Sequence, residues 1–597
     1  LRPEQTYCTM AMSYAMGLPG ALEDVAYALG LRFQKDITGY NLMLRYARPW
    51  RRDPVKWMDE NPSFSVGGVK YTGAEGLARL HEYCRQDVRV DREVYSRLMP
   101  LSDKERRVWL MDYAINQRGV QIDVEAARGA VAMAENVKVE LDREMAKVTN
   151  NVVQTCTAVQ ALKDWMAALG CEKESLAKQE VVDLLPLLEE SSNPNAARII
   201  RALHLRQEAA KASTAKFEVM VNQADEHGRL HNMYAFHGAQ TGRWAGRQPQ
   251  IHNLPRDMPK PEHVERILDL VRAGDWRGLD LIYGAPLTAM SSCLRSFFMA
   301  PPGRVLVGGD WSNIEGRGQA WFANEEWKLN AFRAADAGTG PGLYELTYAK
   351  SFGVPVESVL NPSKERQVGK IMELAFGYGG GAGTFHVMGR TYNVKVSDMK
   401  AEEFKTRWRQ AHLRIAAIWR EIENAARGAV SNPGETYSCG WPGRQAHFKV
   451  VGSFLWLLLP SGRAICYPFP KLLPGTYGDQ VTYMTVPSEE DRRKGKIIAD
   501  PANSGRWVRM GAWGGSFFNN IVQGFASDFL RDAMLALHDQ GAQLVVHTHD
   551  DLNLEVLEAN AEGAKAVVGG IMLNPSPWAA GFPFHTKPVI MHRYGIK

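Results

Sequence analysis

Residues 304–323 read RVLVGGDWSNIEGRGQAWFA, and this stretch decides our interpretation of the fold. A β-branched run typical of a buried strand ends at Asp310, and a helical pattern follows within a few residues. An aspartate at the end of such a strand is well placed to hold a metal ion. Asp310 or Ser312 could equally cap the following helix, because both residue types are favoured at helix N-termini.

Residues 543–556 read QLVVHTHDDLNLEV, in which two short apolar runs flank His549, Asp550 and Asp551. Each run is short enough to be one arm of a β-hairpin. Adjacent acids at a turn are often only solvated turn formers. Two-metal phosphoryl transfer, however, needs hard oxygen ligands on Mg²⁺ ions about 3.5–4 Å apart, and carboxylates from separate strands supply them. Asp310 and Asp550 are therefore the candidate pair.

Residues 364–381 read KERQVGKIMELAFGYGGG and repeat a pattern at every fourth residue. The members advance only about 40° per step around a helix and so form one stripe, Arg366, Lys370, Leu374 and Tyr378. A solvated basic face would explain the two cations but not the apolar and aromatic continuation. An arginine and a lysine one turn apart can clamp a triphosphate, and a tyrosine can offer a flat surface beside a base.

The composition sets broad limits on what the chain can be. At 597 residues it is too long for one hydrophobic core, so we expect several domains. Its seven cysteines lie far apart and form no CxxC pair, which predicts neither disulfides nor a zinc site and favours a reducing cytoplasm. No apolar run approaches the roughly 20 residues needed to cross a bilayer, so we expect no membrane span. The net charge of +5 is mildly basic, so an anionic partner would have to meet a localised stripe.

In their order along the chain, the three segments resemble motifs A, B and C of the family A DNA polymerases, the DNA polymerase I family. GDWSNIEGR is similar to that family's DYSQIELR, RQVGKIMELAFGYG to its RxxxKxxxFxxxYG helix, and THDDLNLEV to its HDE motif. TGRWAGRQPQIHNLP at 241–255 resembles its TGRLSSxxPNLQNIP segment. AAKASTAKF at 209–217 and NNIVQGFASDFL at 519–530 resemble its KTSTAKY and NAPMQGTAADII segments. The similarity runs from about residue 98 to the end.

The resemblance implies a mixed α and β, multi-domain fold, the right-hand polymerase. Its expected units are a partial ribonuclease H-like 3′-5′ exonuclease domain at 1–97, a thumb at 98–225, a palm at 226–327 and 513–597, and fingers at 328–512.

The resemblance also implies template-directed addition of deoxynucleotides to a primer 3′ end with two Mg²⁺ ions. Primer-template DNA and deoxynucleoside triphosphates are then the expected partners. Asp310 and Asp550 would bind both metals, with the Trp311 carbonyl as a further ligand. Asp551 stands where the family has glutamate, which implies a weaker metal or primer-terminus role. Lys370 is the better candidate for protonating pyrophosphate, because an ammonium can release a proton and a guanidinium effectively cannot.

The resemblance also implies a nucleotide-binding site and a set of DNA contacts. Glu315 matches the residue that blocks a 2′-hydroxyl, which favours deoxynucleotides over the alternative of a single-subunit RNA polymerase. The residues implied to surround the nucleotide are Glu315, Tyr344, Arg366, Lys370, Leu374, Tyr378 and Gly379. Those implied to contact DNA are Lys211, Lys216, Arg243, Asn253, Asn519, Gln523 and His549. Ordinary hydrogen bonding in turns and on a helix is the alternative explanation for several of them.

At several positions the sequence departs from the family pattern, and such variants resemble bacteriophage-type enzymes. Leu374 replaces the usual aromatic residue, so contacts to the sugar cannot be carried over. Tyr344 occupies the place of a triphosphate-binding histidine. Gly515 and Ser516 stand where a basic residue is usual, which puts one primer contact in doubt.

The N-terminal segment contains EYCRQDV, whose Tyr83 and Asp87 resemble the YxxxD motif of the exonuclease domain. A helix with tyrosine and aspartate one turn apart is common, but KDITGYNLM at 35–43 supports the same interpretation. No DxE pair precedes Tyr83, so we expect a piece of a longer polypeptide without 3′-5′ exonuclease activity. A catalytically idle DNA-binding scaffold is the alternative from another class. The survival of Asp310 and Asp550 together with the basic stripe disfavours it.

Overall fold

The computed structural model describes residues 2–32, 35–47, 63–66, 68–256, 258–475 and 478–596. Within these ranges, no helix is long and apolar enough to cross a membrane. The seven cysteines all lie in the described part of the chain, and all are free thiols, as their spacing predicts.

In the part that the structure describes, the N-terminal segment is helical and includes one small hairpin. Its elements are α1 (Thr9–Ala15), α2 (Leu22–Ala28), α3 (Ile37–Ala47), β1 (Ser63–Val66), β2 (Val69–Thr72) and α4 (Gly73–Arg97). Thr72 and Glu75 form a reciprocal capping box that fixes the start of α4. Helix α3 packs closely on α4, since a Cβ added at Gly39 would lie 2.5 Å from the Tyr83 ring. Tyr83 is buried and hydrogen-bonds Asp87, but the exonuclease relationship of this segment stays a prediction.

A helical unit follows, as the spacing of apolar residues predicts. Its elements are α5 (Asp103–Arg118), β3 (Val120–Gln121), α6 (Val124–Val148), α7 (Val159–Ala168), α8 (Lys178–Glu189), α9 (Ala196–Ala209) and α10 (Ala215–Gln223). The far end of this unit has its own apolar cluster, formed by the end of α6 with α7, α8 and α9 and centred on Leu162, Met166 and Leu203. The unit therefore extends away from the main core as a separately packed arm.

The central sheet joins two distant parts of the chain. The first part contains β4 (Arg229–Leu230), β5 (Tyr234–Ala235), β6 (Ala245–Gly246), α11 (Pro261–Arg272), α12 (Trp276–Tyr283), α13 (Pro286–Ser292), β7 (Arg304–Asp310) and α14 (Ile314–Ala323). Six helices come next. They are α15 (Glu326–Asp336), α16 (Leu343–Phe352), α17 (Lys364–Phe376), α18 (Ala382–Thr391), α19 (Asp398–Ala411) and α20 (Leu413–Ser431).

Two four-stranded antiparallel sheets occupy the chain after α20. The first contains β8 (Thr436–Cys439), β9 (Ala446–Val451), β10 (Phe454–Leu458) and β11 (Ala464–Pro468). The second contains β12 (Lys471–Gly475), β13 (Gly478–Thr485), β14 (Ile497–Ile498) and β15 (Val508–Ala512), with α21 (Glu489–Arg493) between β13 and β14. Met484 of the second sheet and Trp507, just before β15, share an apolar cluster with Met12, Met16 and Val90 of the N-terminal segment. The predicted 328–512 unit therefore combines helices with two sheets, and the second sheet also contacts another part of the chain. The domain division itself stays a prediction.

The C-terminal part of the chain supplies the other three strands of the central sheet, together with two helices. Its elements are α22 (Gly514–Asp539), β16 (Leu544–Thr548), β17 (Asp551–Leu557), α23 (Ala561–Leu573) and β18 (Val589–Met591). The strand order is β16-β17-β7-β18, with every neighbouring pair antiparallel. The interior residues of β7 are buried, and α23 packs against this strand. A rigid, buried sheet thus presents the ends of β7 and β17 side by side.

Candidate active site

The two acidic segments meet at one end of the central sheet. Strand β16 ends at Thr548 and β17 begins at Asp551, so His549 and Asp550 form a two-residue hairpin turn. Asp551 lies opposite Asp310 across the β17–β7 pair, and the backbone N–H of the residue after Asp310 donates to the Asp550 carbonyl at 3.0 Å. The hairpin and the strand predicted from the sequence are both confirmed.

The start of α14 shows that Asp310 is not the helix cap. Asn313 holds that position, and its side chain accepts a hydrogen bond from the Gly316 N–H at 3.2 Å. Trp311 is buried and its indole N–H donates to the Met572 carbonyl at 2.7 Å, which anchors the backbone next to Asp310. The alternative that Asp310 or Ser312 caps the helix is wrong.

Asp310, Asp550 and Asp551 line one pocket of about 250 Å³. Burial raises the pKa of Asp550, Arg256 opposes this rise, and the nearby Asp310 adds to it. Arg256 also lines the pocket, although it was not among the predicted residues. It directly follows the 241–255 segment, so extending that segment by one residue would have found it.

The protein itself engages both carboxylate oxygens of Asp551. The Tyr594 hydroxyl donates to one oxygen at 2.6 Å, and the Asn553 amide donates to the other at 2.9 Å. Burial, with the neighbouring Asp550, raises the pKa of Asp551 to about 6 despite these hydrogen bonds. No local pattern in the sequence points to Tyr594, because its contact spans more than forty residues.

Glu315 is held from two sides at the rim of the site. The Arg243 guanidinium contacts one carboxylate oxygen at 2.6 Å, and the Tyr378 hydroxyl donates to the other at 2.8 Å. Helix α17 ends at Phe376, so the predicted helical stripe runs only as far as Leu374, and Tyr378 continues it from the turn beyond. Gly379 follows with a φ of +79°, which a residue with a side chain would adopt only under strain. The structure therefore links Arg243, Glu315 and Tyr378 in one network.

Arg366 and Lys370, the two cations of the stripe, both contact other side chains of the protein. Arg366 donates to Glu345 at 2.7 Å, and its guanidinium lies 5.4 Å from the centre of the Tyr344 ring. The Lys370 ammonium lies 4.3 Å from the centre of the Tyr392 ring. Leu374 is 44% exposed. The part of the predicted stripe that is helical thus lies on one accessible face, with both cations steadied by aromatic rings.

A buried polar cluster next to the stripe on α17 holds this helix in place. Glu373 is buried and accepts hydrogen bonds from Thr347 and from the Trp408 indole, each at 3.0 Å. The ammonium of the fully buried Lys328 pairs with the same carboxylate, and a ring nitrogen of His412 lies 2.8 Å from it. These neighbours lower the pKa of Glu373 against the effect of burial. No local pattern in the sequence points to this cluster, because its members come from four helices.

The residues predicted to contact DNA are placed unevenly. Asn519 and Gln523 lie half-buried one turn apart on α22, and the Asn519 carbonyl oxygen is buried with no hydrogen-bond partner among the described residues. Asn253 is exposed. Lys211 lies in a groove between α6, α9 and α12. The Lys216 ammonium instead donates to the Pro249 carbonyl at 2.9 Å, and burial lowers its pKa.

His549, in the acidic turn, belongs to a group of buried and half-buried rings. Its ring centre lies 5.2 Å from that of His252, and the ring of His547 stacks on Tyr234 at 4.0 Å. Burial lowers the pKa of His549 and of His252 to about 4. Both imidazoles are therefore neutral near pH 7 and can accept or donate a hydrogen bond without carrying charge.

The absence of a basic side chain at position 515 has a steric cause. A Cβ added at Gly515 would lie 2.3 Å from both the Trp513 ring and the Tyr378 carbonyl. Ser516 is half-buried on the same helix. This packing leaves no room at position 515 for the contact that the family pattern supplies there.

The donor set at the acidic end suits Mg²⁺, which binds proteins through one or two carboxylates and fills its remaining positions with substrate phosphates and water. Among the described residues, no group of three or more His, Cys, Asp or Glu side chains is arranged to hold a metal. A site of two carboxylates in a polar pocket fits this pattern, and softer sulfur or multi-imidazole sites do not.

Comparison with known proteins gives concordant results. The family model for DNA polymerase family A matches residues 132–433. The DNA polymerase of Bacillus phage SP02 is 34% identical over 602 residues, which cover 100% of this chain and 86% of that protein. The thermostable DNA polymerase I of Thermus filiformis is 25% identical over 354 residues, 59% of this chain and 31% of that protein. The POL domain of Pol1 from M. smegmatis, solved with DNA primer-template and dNTP, matches with a TM-score of 0.55 and 15% identity, covering 99% of this chain and 82% of that one.

Proposed function

The chain belongs to DNA polymerase family A and is a template-directed DNA polymerase, and on that premise we propose that Asp310 and Asp550 are its metal-binding catalytic residues. One observation carries the proposal. Two acids separated by 240 positions in the sequence line the same pocket at the ends of paired strands. The Trp311 carbonyl, on the backbone next to Asp310, is the proposed further ligand.

Two bound Mg²⁺ ions would activate the primer 3′-hydroxyl and neutralise charge on the α-phosphate and the leaving pyrophosphate. The protein's own part is to hold the reacting groups. Arg366 and Lys370 bind the triphosphate, and Lys370 gives a proton to pyrophosphate. Asp551 keeps its hydrogen bonds to Tyr594 and Asn553, so its role is to support the turn and the primer terminus rather than to supply a main ligand.

Glu315 selects the sugar. Its carboxylate, fixed by Arg243 and Tyr378, closes the space that a 2′-hydroxyl would need. Leu374, Gly379 and Tyr344 complete the nucleotide site in this proposal. The deoxynucleotide is therefore the preferred substrate.

Primer-template DNA is the proposed partner, as it is of the M. smegmatis structure. The residues assigned to it are Arg243, Asn253, Asn519, Gln523, His549, Lys211 and Lys216. Of the two lysines, Lys211 is the stronger candidate, because Lys216 already donates to a backbone carbonyl. The similarity to a phage polymerase supports the cytoplasm of a host cell as the place of reaction.

Primer extension on a defined template tests the proposal. Asp310→Ala and Asp550→Ala should each lower extension by at least about a thousandfold, because metal stabilisation of the transition state is worth several kcal/mol. Both variants should still bind primer-template, because phosphate contacts elsewhere supply most of the affinity. Extension within tenfold of wild type in either variant would remove the assignment. A wild-type protein that binds DNA without extending it would support the idle scaffold instead.

A further inference from the structure

Trp513 is the one tryptophan that is exposed in the part of the chain that the structure describes, at 42% of its surface. The other described tryptophans are buried or half-buried. A tryptophan ring presents a large flat apolar surface on which another ring can stack. The proposed function above assigns no role to this residue.

The structure holds Trp513 in place although it is exposed. It is the residue before α22, and its ring lies against two glycines. A Cβ added at Gly379 would lie 2.5 Å from the indole, and one added at Gly515 would lie 2.3 Å from it. The next residue, Gly514, is fixed in turn, since a Cβ there would lie 1.8 Å from the Trp419 carbonyl. The indole is therefore already ordered before anything binds to it, which lowers the entropic cost of binding.

The position of the ring relates it to the proposed active site. Gly379 directly follows Tyr378, whose hydroxyl donates to Glu315, and the Tyr378 carbonyl also borders Gly515. Helix α22 then continues to Asn519 and Gln523. Trp513 thus lies beside the end of the nucleotide-binding helix, at the start of the helix that carries two of the proposed DNA contacts.

A cation lies next to the same glycine. The Arg409 guanidinium lies 3.4 Å from the Gly379 carbonyl and is half-buried. An aromatic platform with a neighbouring cation is the combination that binds single-stranded nucleic acid, because the ring stacks on a base while the cation attracts the phosphate. Such stacking tolerates every base, which a copying enzyme requires of its template.

We propose that Trp513 stacks on an unpaired base of the template strand ahead of the primer terminus. The proposal rests on the polymerase function proposed above and names one way in which the site holds its template. Trp513 acts by positioning the strand and not by contact with the reacting atoms.

Binding to two DNA probes tests this role. One probe is a blunt-ended duplex, and the other is the same duplex with a single-stranded template overhang. Trp513→Ala should weaken binding of the overhang probe by about tenfold, within the range measured for loss of one base–aromatic stack, and leave the blunt probe unchanged. Trp513→Phe should retain most of the affinity. Tyr27→Ala, which removes an exposed aromatic ring from α2, is the matched control and should bind both probes like wild type.

A fluorescent base provides a second readout. With 2-aminopurine among the unpaired template bases, wild-type protein should quench the fluorescence by stacking, and Trp513→Ala should restore it. Equal loss of affinity for both probes, no loss for either, or unchanged 2-aminopurine fluorescence would overturn the proposal. Primer extension by the wild type on the overhang probe distinguishes failure of the proposed function from failure of the role of Trp513. If the wild type does not extend the primer, the proposed function is overturned. If it does, the fluorescence result decides the role of Trp513.

Discussion

The acids of the central sheet and the cations of α17 are positioned by different means. Asp310 ends a buried strand and Asp550 lies in a tight turn that is hydrogen-bonded to that strand, so sheet geometry fixes both. Arg366 and Lys370 project from a helix surface and use Glu345 and aromatic rings as neighbours. The acids are set before substrate arrives, whereas Arg366 must share or exchange a partner when a triphosphate binds.

This difference in positioning predicts where mutations should lower activity most. A rigid group that meets the reacting atoms should affect the chemical step, because its contribution is greatest in the transition state. A cation that exchanges one ionic partner for another contributes less binding free energy to the substrate, because the protein already partly satisfied its charge.

Lys370 carries the largest expected effect within α17. Lys370→Ala should lower kcat by about a hundredfold or more, the usual contribution of a general acid, while Arg366→Ala should mainly raise the KM for the deoxynucleotide. Lys364→Ala, an exposed lysine of the same helix, is the control and should change neither constant. Single-nucleotide incorporation kinetics measure both. An effect of Lys370→Ala confined to KM would contradict its role as proton donor.

Glu315 should come next in size. Glu315→Ala removes the carboxylate that Arg243 and Tyr378 hold at the rim, so incorporation of ribonucleotides relative to deoxynucleotides should rise by well over about tenfold, as expected when a steric clash is removed. Tyr378→Phe keeps the carboxylate but loses one of its hydrogen bonds, and it should raise the ratio less. Competing incorporation of the two nucleotides gives this ratio directly. If Glu315→Ala leaves it unchanged, Glu315 does not select the sugar.

Leu374 tests the exposed face of the helix. Leucine offers no polar atom to replace the hydrogen bond lost with a missing 3′-hydroxyl, so the wild type should discriminate against dideoxynucleotides. Leu374→Tyr should improve their use by roughly tenfold, because a hydrogen bond to a charged group is worth about 1.5–3 kcal/mol. Leu374→Phe adds the ring without the hydroxyl, so it shows how much of any improvement comes from packing alone. Equal dideoxy-to-deoxy ratios in wild type and Leu374→Tyr would show that position 374 does not face the sugar.

Asp551 should have the smallest effect on extension. Asp551→Asn should stay within about tenfold of wild type, since the protein and not the substrate engages its oxygens. Its effect on stability depends on pH. Burial raises the folded-state pKa to about 6, above the unfolded value, so the folded protein binds the extra proton and loses stability as pH rises through about 4 to 6.

Asp551→Asn places no charge at this buried position, so it removes the loss of stability that the wild type shows as pH rises. The melting temperature of Asp551→Asn, measured without metal, should exceed that of the wild type by more at about pH 7.5 than at about pH 5. A constant difference across this range would mean that Asp551 does not titrate as its surroundings imply.

Local patterns in the sequence are sufficient to predict the strands and the helix on which the proposed site residues lie. Strand β7, the hairpin at Asp550 and helix α17 all follow from apolar periodicity within a few residues. The stripe prediction failed only at Tyr378, where helix α17 has already ended at Phe376. The glycines that follow permit the turn, and a four-residue repeat cannot distinguish a helix from the turn that continues it.

Contacts between distant parts of the chain could not be predicted in the same way. Tyr594 reaches Asp551, and Lys328 reaches Glu373, only because several elements pack together. The two sheets after α20 and their contact with the N-terminal helices also depend on strand pairing and packing across the fold. Sequence spacing contains no signal for such pairings unless the strands alternate clearly, and this part of the chain is interrupted by glycine and proline.

Counting the bound metal ions shows whether Asp310 and Asp550 hold them. Mn²⁺ serves as the paramagnetic probe in a complex of the protein with a dideoxy-terminated primer-template and the matching deoxynucleotide. Wild type should bind two ions per complex. Asp310→Ala and Asp550→Ala should each lose at least one of them, and Asp551→Asn should keep both. Two ions bound with wild-type affinity in either alanine variant would contradict the account.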